Sequence, residues 1–201
     1  MGLSSDSEAL VVMSPAMNRP VSAIAGENTV SVTIAHLSLE PDTPVIDDDN
    51  VQRLYVEYHF LGLSAEETET PFSLPKPKAY HNLVYNFKKV FHVDAENNKL
   101  QRDYLVSMLH PDDASQGKIC LTVVSEPLEE SQDQECEDVG YAYVDVKEML
   151  KNGEDVIEQD IDIHYARDES ILVGTMNVTV ECVAALRAAS EEVDYDVTSA
   201  E

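Results

Sequence analysis

Residues 53–61 read RLYVEYHFL, and the alternation of apolar and polar side chains in this stretch predicts a half-buried β-strand. Successive side chains of a strand point to opposite faces, so every second residue belongs to the same face. The face that we expect to be buried holds Leu54, Val56, Tyr58 and Phe60. The same pattern precedes this strand, where one predicted face holds Val30, Val32 and Ile34, continuing through Leu37 and Leu39.

The alternation recurs along the rest of the chain and predicts eight strands in all. Proline lacks the amide proton that a strand ladder needs, so we place the stretch around Pro75 and Pro77 at a sheet edge or in a connection. The predicted strands are 28–39, 53–61, 71–74, 81–93, 118–125, 141–146, 156–164 and 172–183.

Residues 98–109 follow a helical pattern, because Leu100, Tyr104, Leu105 and Met108 recur at helical spacing and Pro111 ends the run. A short helical turn is also expected from Asp145 through Leu150, closed by Asn152 and Gly153. Eight short strands with one inserted helix indicate an all-β fold, an antiparallel two-sheet sandwich.

The chain has 201 residues, a length typical of one domain. We predict a flexible linker over residues 1–26, a sandwich domain over 27–186 and an acidic tail over 187–201. Nothing at the N-terminus resembles a signal sequence and no apolar run has the roughly 20 residues of a membrane span, so we expect a soluble, cytoplasmic protein. The three cysteines are odd in number and widely spaced, which predicts reduced thiols.

The formal charge of −26 comes from 39 acidic and 13 basic residues. Such a charge repels the phosphate backbone of nucleic acids and favours basic protein surfaces. The six histidines show no metalloprotease spacing, and neither a nucleophile elbow nor a glycine-rich phosphate loop is present. We therefore predict a protein that is not an enzyme, needs no cofactor and does not bind nucleic acid.

Several segments resemble known families. Arg53–Tyr58 is similar to the second strand of C2 domains. Ile119–Ser125, the loop after it and Asp138-Val139-Gly140 resemble the C2 pattern of a valine-rich strand, a calcium loop and an Asp-x-Gly that opens the next strand; the likeness covers about 27–185. A closer resemblance, to the C-terminal domain of the retinitis pigmentosa GTPase regulator-interacting protein family, is carried by YVEY (55–58), ETETP (67–71), SLPKP (73–77, in which Pro75 stands at a variable position), ECEDVGYA (135–142) and IEQ (157–159).

That resemblance implies a C2-like domain that acts as a scaffold. Its implied partner is the RCC1-like propeller of the retinitis pigmentosa GTPase regulator. The implied location is the cilium, at the transition zone or basal body and the connecting cilium of photoreceptors, and the family is linked by name to retinal disease.

The C2 resemblance also invites a test for calcium, which takes 6–8 oxygen ligands. The positions where C2 domains carry ligands hold Arg53, Ser125 and Pro127 here, and only Asp138 keeps a carboxylate. The triplet Asp47–Asp49 lies in the first loop, but adjacent residues of an extended loop point in different directions. We expect no metal site and interpret the triplet as a solvated turn.

The alternative hypothesis is a C2 domain that docks on membranes through calcium or phosphoinositides. Its basic cluster would be Lys76, Lys78, Lys88 and Lys89. Lys88 and Lys89 are neighbours in a strand and point to opposite faces, so they do not form one patch. We consider membrane binding the weaker hypothesis.

Protein binding is the stronger hypothesis, and two acidic stretches, 126–138 and 154–162, suggest where it occurs. The second holds five acidic residues and could join the first in one negative face, although both could also be solvated rims. Strand edges and any outward-facing tyrosines are further candidates. The predicted partner-binding residues are Glu126, Glu129, Glu130, Asp133, Glu135, Glu137 and Asp138.

Overall fold

The computed structural model describes residues 9–11, 26–127 and 135–198. The strands are β1 (Ala9–Val11), β2 (Thr29–Leu39), β3 (Arg53–His59), β4 (Leu74–Pro75), β5 (Leu83–His92), β6 (Lys118–Glu126), β7 (Glu137–Asp145), β8 (Val156–Tyr165) and β9 (Asp168–Glu181). The helices are α1 (Pro44–Asp47), α2 (Ala65–Thr68), α3 (Lys99–Ser107), α4 (Val146–Asn152) and α5 (Val183–Thr198).

The strands pair throughout in antiparallel fashion, in the order β1-β5-β2-β9-β8-β7-β6-β3-β4. Five strands separate β5 from β3 in this order, yet the two touch. The ring of Phe91 in β5 lies 6.4 Å from that of Tyr58 and 5.8 Å from that of Phe60, both edge-on. The sheet therefore folds back on itself into two layers, which confirms the predicted all-β antiparallel sandwich.

The core lies between the two layers and follows the predicted alternation. In β3 the residues Leu54, Val56 and Tyr58 are fully buried, as is Phe60 beyond its end. In β2 a bulge between Ile34 and His36 shifts the register by one residue. That shift is why Ile34 and Leu37, three residues apart, both point into the core.

Four strands differ from the sequence prediction: β7 and β9 each begin four residues earlier than predicted, at Glu137 and Asp168, and two others differ more. The predicted strand 71–74 is a two-residue strand, Leu74–Pro75, which pairs with the start of β3 at the edge of the sheet. One backbone hydrogen bond continues past Pro75, from the Lys76 amide to the Gln52 carbonyl at 2.7 Å. A ninth strand, β1, lies within the predicted linker and pairs with β5 through Ala9–Val11.

Two predicted helical segments are present as α3 and α4. Asp145 caps α4 by accepting the amide proton of Glu148 at 2.9 Å, and Gly153 ends it at a φ of +75°, a conformation in which glycine carries no steric penalty. Helices α1 and α2 are single turns within loops, where the strand pattern gave no signal.

The C-terminal segment is helical through Thr198, although the sequence predicted an irregular acidic tail from residue 187. Val183, Leu186 and Ala189 recur every third residue and are almost completely buried, so one side of α5 packs on the core. The N-terminus of α5 is capped from a distance, because the Asp155 carboxylate accepts the amide protons of Cys182 and Val183, each at 2.9 Å. No helix among the described residues has the length and apolar character needed to span a membrane.

Candidate protein-binding site

Alternation along β3 and β7 divides the aromatic residues between two faces. Tyr58 points into the core, whereas Tyr55, Tyr141 and Tyr143 point outward and are only partly buried. The antiparallel register sets Tyr55 beside Val124, Tyr141 beside Thr122, and Tyr143 beside Cys120. The outward residues form a continuous surface, here called the tyrosine face, made of Tyr55, Glu57, Cys120, Thr122, Val124, Tyr141, Tyr143 and His164.

The tyrosine face is closely packed although it lies outside the core. Val124 and Thr122 are only 2% and 5% exposed on this outer surface, so their larger neighbours cover them. The rings of Tyr143 and His164 lie 6.4 Å apart, and the Lys118 ammonium lies 5.7 Å from the ring of Tyr143. Such rigid aromatic side chains lose little conformational entropy on binding and are enriched among residues that dominate interface energies.

Carboxylates at the edge of the tyrosine face accept hydrogen bonds from two of its phenols. The Tyr141 hydroxyl donates to Asp138 at 2.9 Å, and the Tyr143 hydroxyl donates to Glu169 at 3.4 Å. Partial burial, helped by these carboxylates, raises the pKa of Tyr141 and of Tyr143 to about 12. The face is therefore a set of neutral tyrosines in a negative potential, which suits a partner surface that carries positive charge.

The predicted acidic residues that the structure describes lie at the margin of this face, near the start of β7. Asp138 contacts Tyr141, and Glu137 forms an ion pair with Arg167. Glu126 accepts a hydrogen bond from Ser73 and lies 4.0 Å from the Arg53 guanidinium, while Glu135 is exposed. The predicted residues Glu129, Glu130 and Asp133 lie outside the described residues.

The start of the second acidic stretch lies far from the described residues of the first. Strand β7 pairs with β8 only at Gly140–Tyr165 and Tyr141–His164. Glu158 precedes His164 by six residues, which at about 3.3 Å per residue places it about 20 Å away along β8. Residues 154–158 therefore lie towards the opposite end of β8 from Glu137 and Asp138, whereas Asp162 is only two residues from His164.

The end of the sandwich where β3 begins holds the positions that were compared with calcium ligands. Arg53 donates to the hydroxyl and the carbonyl of Ser73. Nearby, the Lys76 ammonium donates to the carbonyls of Val45, Ile46 and Asp48 at 3.3, 2.9 and 2.7 Å. Asp48 itself accepts from the backbone and side chain of Asn50, and that backbone hydrogen bond lowers its pKa. The triplet 47–49 is thus built into a turn that a lysine holds together.

Among the residues that the structure describes, no three His, Cys, Asp or Glu side chains converge as metal ligands. The three cysteines are free thiols, as the sequence predicted. Two lysines of the predicted basic cluster also have internal partners: Lys88 pairs with Glu181 at 2.9 Å, and Lys89 is buried and donates to the Glu67 carbonyl. Only Lys78 of that cluster is exposed without a hydrogen bond or ion pair among the described residues.

Comparison with protein families identifies the chain. The model of the family described as retinitis pigmentosa G-protein regulator interacting C-terminal matches residues 26–192. The chain belongs to this family. The match confirms the resemblance seen in the quoted segments, and the family is described by an interaction, not by a reaction.

Relatives of this family member include the X-linked retinitis pigmentosa GTPase regulator-interacting protein 1 of mouse, which is 35% identical over 194 residues covering 96% of the chain. The protein of the same name from cattle is 39% identical over 175 residues covering 87% of the chain. The chain spans only 14% of the length of each of these relatives.

Similar solved structures include C2 domains. A C2 domain-containing protein from a putative elicitor-responsive gene matches with a TM-score of 0.46 and 12% identity, covering 81% of this chain and 93% of that one. A C2 domain of plant extended synaptotagmin 1 has a TM-score of 0.43 and 15% identity, covering 77% of this chain and 93% of that one. The sandwich assignment itself comes from the strand pairing and the ring contacts described above.

Several residues of the site in this family member escaped the sequence analysis. Glu69 and Phe72 lie in the connection between α2 and β4, and Glu169 lies at the start of β9; the fold carries all three to the edges of the tyrosine face. Phe72 follows Pro71 in an acidic loop, and an exposed aromatic residue after a proline was the one available signal. The outward direction of Tyr141 and Tyr143 was readable from alternation with Ala142 and Val144, which are buried.

Proposed function

We propose that this domain is a non-enzymatic interaction module that binds the propeller domain of the retinitis pigmentosa GTPase regulator through the tyrosine face. The name of the relatives states that they interact with that regulator. The observation that carries the proposal is a closely packed outer face with three outward-pointing tyrosines and acidic margins. Tyrosines supply the contact area, while the negative potential speeds association with a basic surface and fixes its orientation.

The binding is proposed to be independent of calcium. Arg53 occupies a position that the C2 comparison assigned to a ligand, and Lys76 already fills the group of carbonyls next to it. A second cation entering this end of the domain would meet two fixed positive charges. The alternative, docking on membranes through calcium or phosphoinositides, finds little support, because Lys76, Lys88 and Lys89 are held by internal acceptors.

Calorimetric titration with the purified propeller tests the proposal. Tyr141→Ala and Tyr143→Ala are each expected to weaken binding at least tenfold, the effect of losing about 1.4 kcal/mol of interface energy. Leu100→Ala, on the 80% exposed residue of α3, is the matched control and should bind as the unmodified domain does. Equal affinity of all three variants would contradict the assignment of the face.

The same titration, performed in excess calcium and in chelator, tests whether the binding is independent of calcium. We expect one affinity in both buffers and no sedimentation with phosphoinositide vesicles. An affinity that rises with calcium, or sedimentation with vesicles, would favour the membrane-docking alternative.

Location at the ciliary transition zone follows, in this proposal, from the partner. A tagged full-length protein should concentrate there in ciliated cells, and the Tyr141→Ala Tyr143→Ala double variant should lose that concentration. If the double variant no longer binds the propeller but still concentrates at the transition zone, its location does not depend on this partner.

A further inference from the structure

A cleft of about 200 Å³ opens at the border of the tyrosine face, between β3 and the connection that leads into β4. The residues that line the cleft include Tyr55, Glu69, Phe72, Ser73, Glu126 and Cys136. They come from β3, from the 69–73 connection, from the end of β6 and from the residue before β7. The cleft therefore exists only in the folded chain, where these four segments meet.

The wall formed by the connection is fixed to the sheet by hydrogen bonds. The Thr70 amide donates to the Val56 carbonyl at 2.8 Å, and the Val56 amide donates to the Thr70 hydroxyl at 3.1 Å. The Thr68 hydroxyl donates to the Tyr58 carbonyl. These bonds also close the free edge of β3, so a strand of a partner cannot pair there. The cleft thus offers side chains, not backbone, to whatever binds.

Phe72 forms a preorganised aromatic wall of the cleft. Its ring stacks on Tyr85 at 6.3 Å between centroids and 26° between planes, and the Tyr85 hydroxyl is anchored to the Leu54 carbonyl at 2.7 Å. Although it is held in this way, Phe72 leaves 45% of its surface in solvent. Tyr55, from the tyrosine face, supplies a second ring.

The cleft carries more negative charge than the fold neutralises. Burial and the repulsion of Glu57, Glu66 and Glu126 raise the pKa of Glu69. Among the described residues, the one basic side chain within ion-pair distance of these four carboxylates is Arg53, at 4.0 Å from Glu126. The sequence 128–134, LEESQDQ, which connects Glu126 with Cys136, contains no lysine or arginine.

We propose that this cleft receives an arginine side chain of the protein partner, between the rings of Tyr55 and Phe72 and against the carboxylate of Glu69. Among cationic side chains, arginine fits best because its planar guanidinium stacks on aromatic rings and donates two parallel hydrogen bonds to a carboxylate. The inference rests on the proposed function for the identity of the partner. The preference of the cleft for a guanidinium group depends only on residues of this domain.

Calorimetric titration with the propeller gives the first test. Glu69→Gln keeps the shape of the cleft and should weaken binding about tenfold, and Glu69→Lys should abolish measurable binding. Glu158→Gln is the matched control, an exposed carboxylate towards the far end of β8, and should leave the affinity unchanged. Unchanged affinity of Glu69→Gln and Glu69→Lys, with weakened Tyr141→Ala, would overturn the cleft and leave the proposed function intact.

A second test needs no partner and so separates the two proposals. Blocked arginine (N-acetyl, N′-methylamide) is titrated into the isotope-labelled domain, with blocked citrulline, its neutral isostere, as control. Shifts of the amide signals of residues 55, 69, 70, 72, 73, 126 and 136 are expected with arginine only, and Glu69→Gln should remove them. Equal shifts with both compounds, or none with arginine, would overturn the inference even if the propeller binds.

Discussion

Two tyrosines of the core, Tyr58 and Tyr85, are expected to change the stability of the domain in opposite directions when each is replaced by phenylalanine. The Tyr58 hydroxyl is completely buried and is the one buried side-chain polar atom without a hydrogen-bond partner among the described residues, whereas the Tyr85 hydroxyl donates to the Leu54 carbonyl at 2.7 Å. An unsatisfied buried polar group costs about 1–3 kcal/mol, and the space left by one oxygen costs roughly a few tenths. We therefore expect Tyr58→Phe to raise the free energy of unfolding by about 1 kcal/mol.

Tyr85→Phe should have the opposite effect. It removes the hydrogen bond and leaves the Leu54 carbonyl without that donor, which should lower the free energy of unfolding by about 1–2 kcal/mol. Because each kcal/mol shifts the melting temperature by about 2–4 °C in a domain of this size, urea and thermal unfolding resolve both changes. The two midpoints should move in opposite directions. A loss of stability in Tyr58→Phe as large as that in Tyr85→Phe would refute the reasoning, since it would mean that the Tyr58 hydroxyl has a partner in solution.

Three further changes test other parts of the structure. Lys76→Met should lower stability by about 1–2 kcal/mol and speed hydrogen exchange in residues 45–51, because three carbonyls lose their donor, while Lys78→Met on an exposed lysine should do neither. Gly174→Ala should lower stability by about 3 kcal/mol or more in urea unfolding, because its Cβ would overlap the Ser38 carbonyl oxygen in the paired backbone. Gly26→Ala should be neutral, because its Cβ would make only an ordinary contact with the Thr29 hydroxyl oxygen at 3.9 Å. Glu69→Gln should raise the melting temperature at pH 7 and not at pH 3. Folding raises the pKa of Glu69, so the ionised carboxylate destabilises the folded domain at pH 7. This penalty disappears as the pH falls below the ordinary pKa of 4.5, because the carboxyl group is then protonated in both the folded and the unfolded chain.

The alternating strands were predictable because the pattern is local. Leu54, Val56 and Tyr58 needed only their spacing to be placed in the core, and the bounds of α4 followed from a capping aspartate and a closing glycine. The N-terminus of α5 was not predictable in this way, because its cap, Asp155, lies 27 residues before Cys182 in the chain. The residues at 183, 186 and 189 carried a helical spacing that the acidic residues after them obscured.

The candidate site was predictable only in part, because it joins residues from distant segments. The sequence named Glu126 and Asp138, which lie beside outward-facing residues, and alternation could assign Tyr141 to the outer face. The sequence could not show that Phe72 lies next to Tyr85. It also could not show that the 69–73 connection contacts Glu126, which is 53 residues beyond Ser73. Nor could the sequence show that residues 154–158 lie away from Glu137 and Asp138, since that depends on which residues of β7 and β8 pair.

The lysine that holds the carbonyls of residues 45, 46 and 48 has a further consequence. The occupancy of an ion-binding site depends on the concentration of the free ion. The conformation of a loop that is held by such an ion therefore changes when that concentration changes. An ammonium tethered to the backbone has no such dependence, because its local concentration is set by covalent bonds. If the domain binds as proposed, its partner meets the same loop before and after a calcium pulse. Control of the complex then has to come from something other than the calcium concentration.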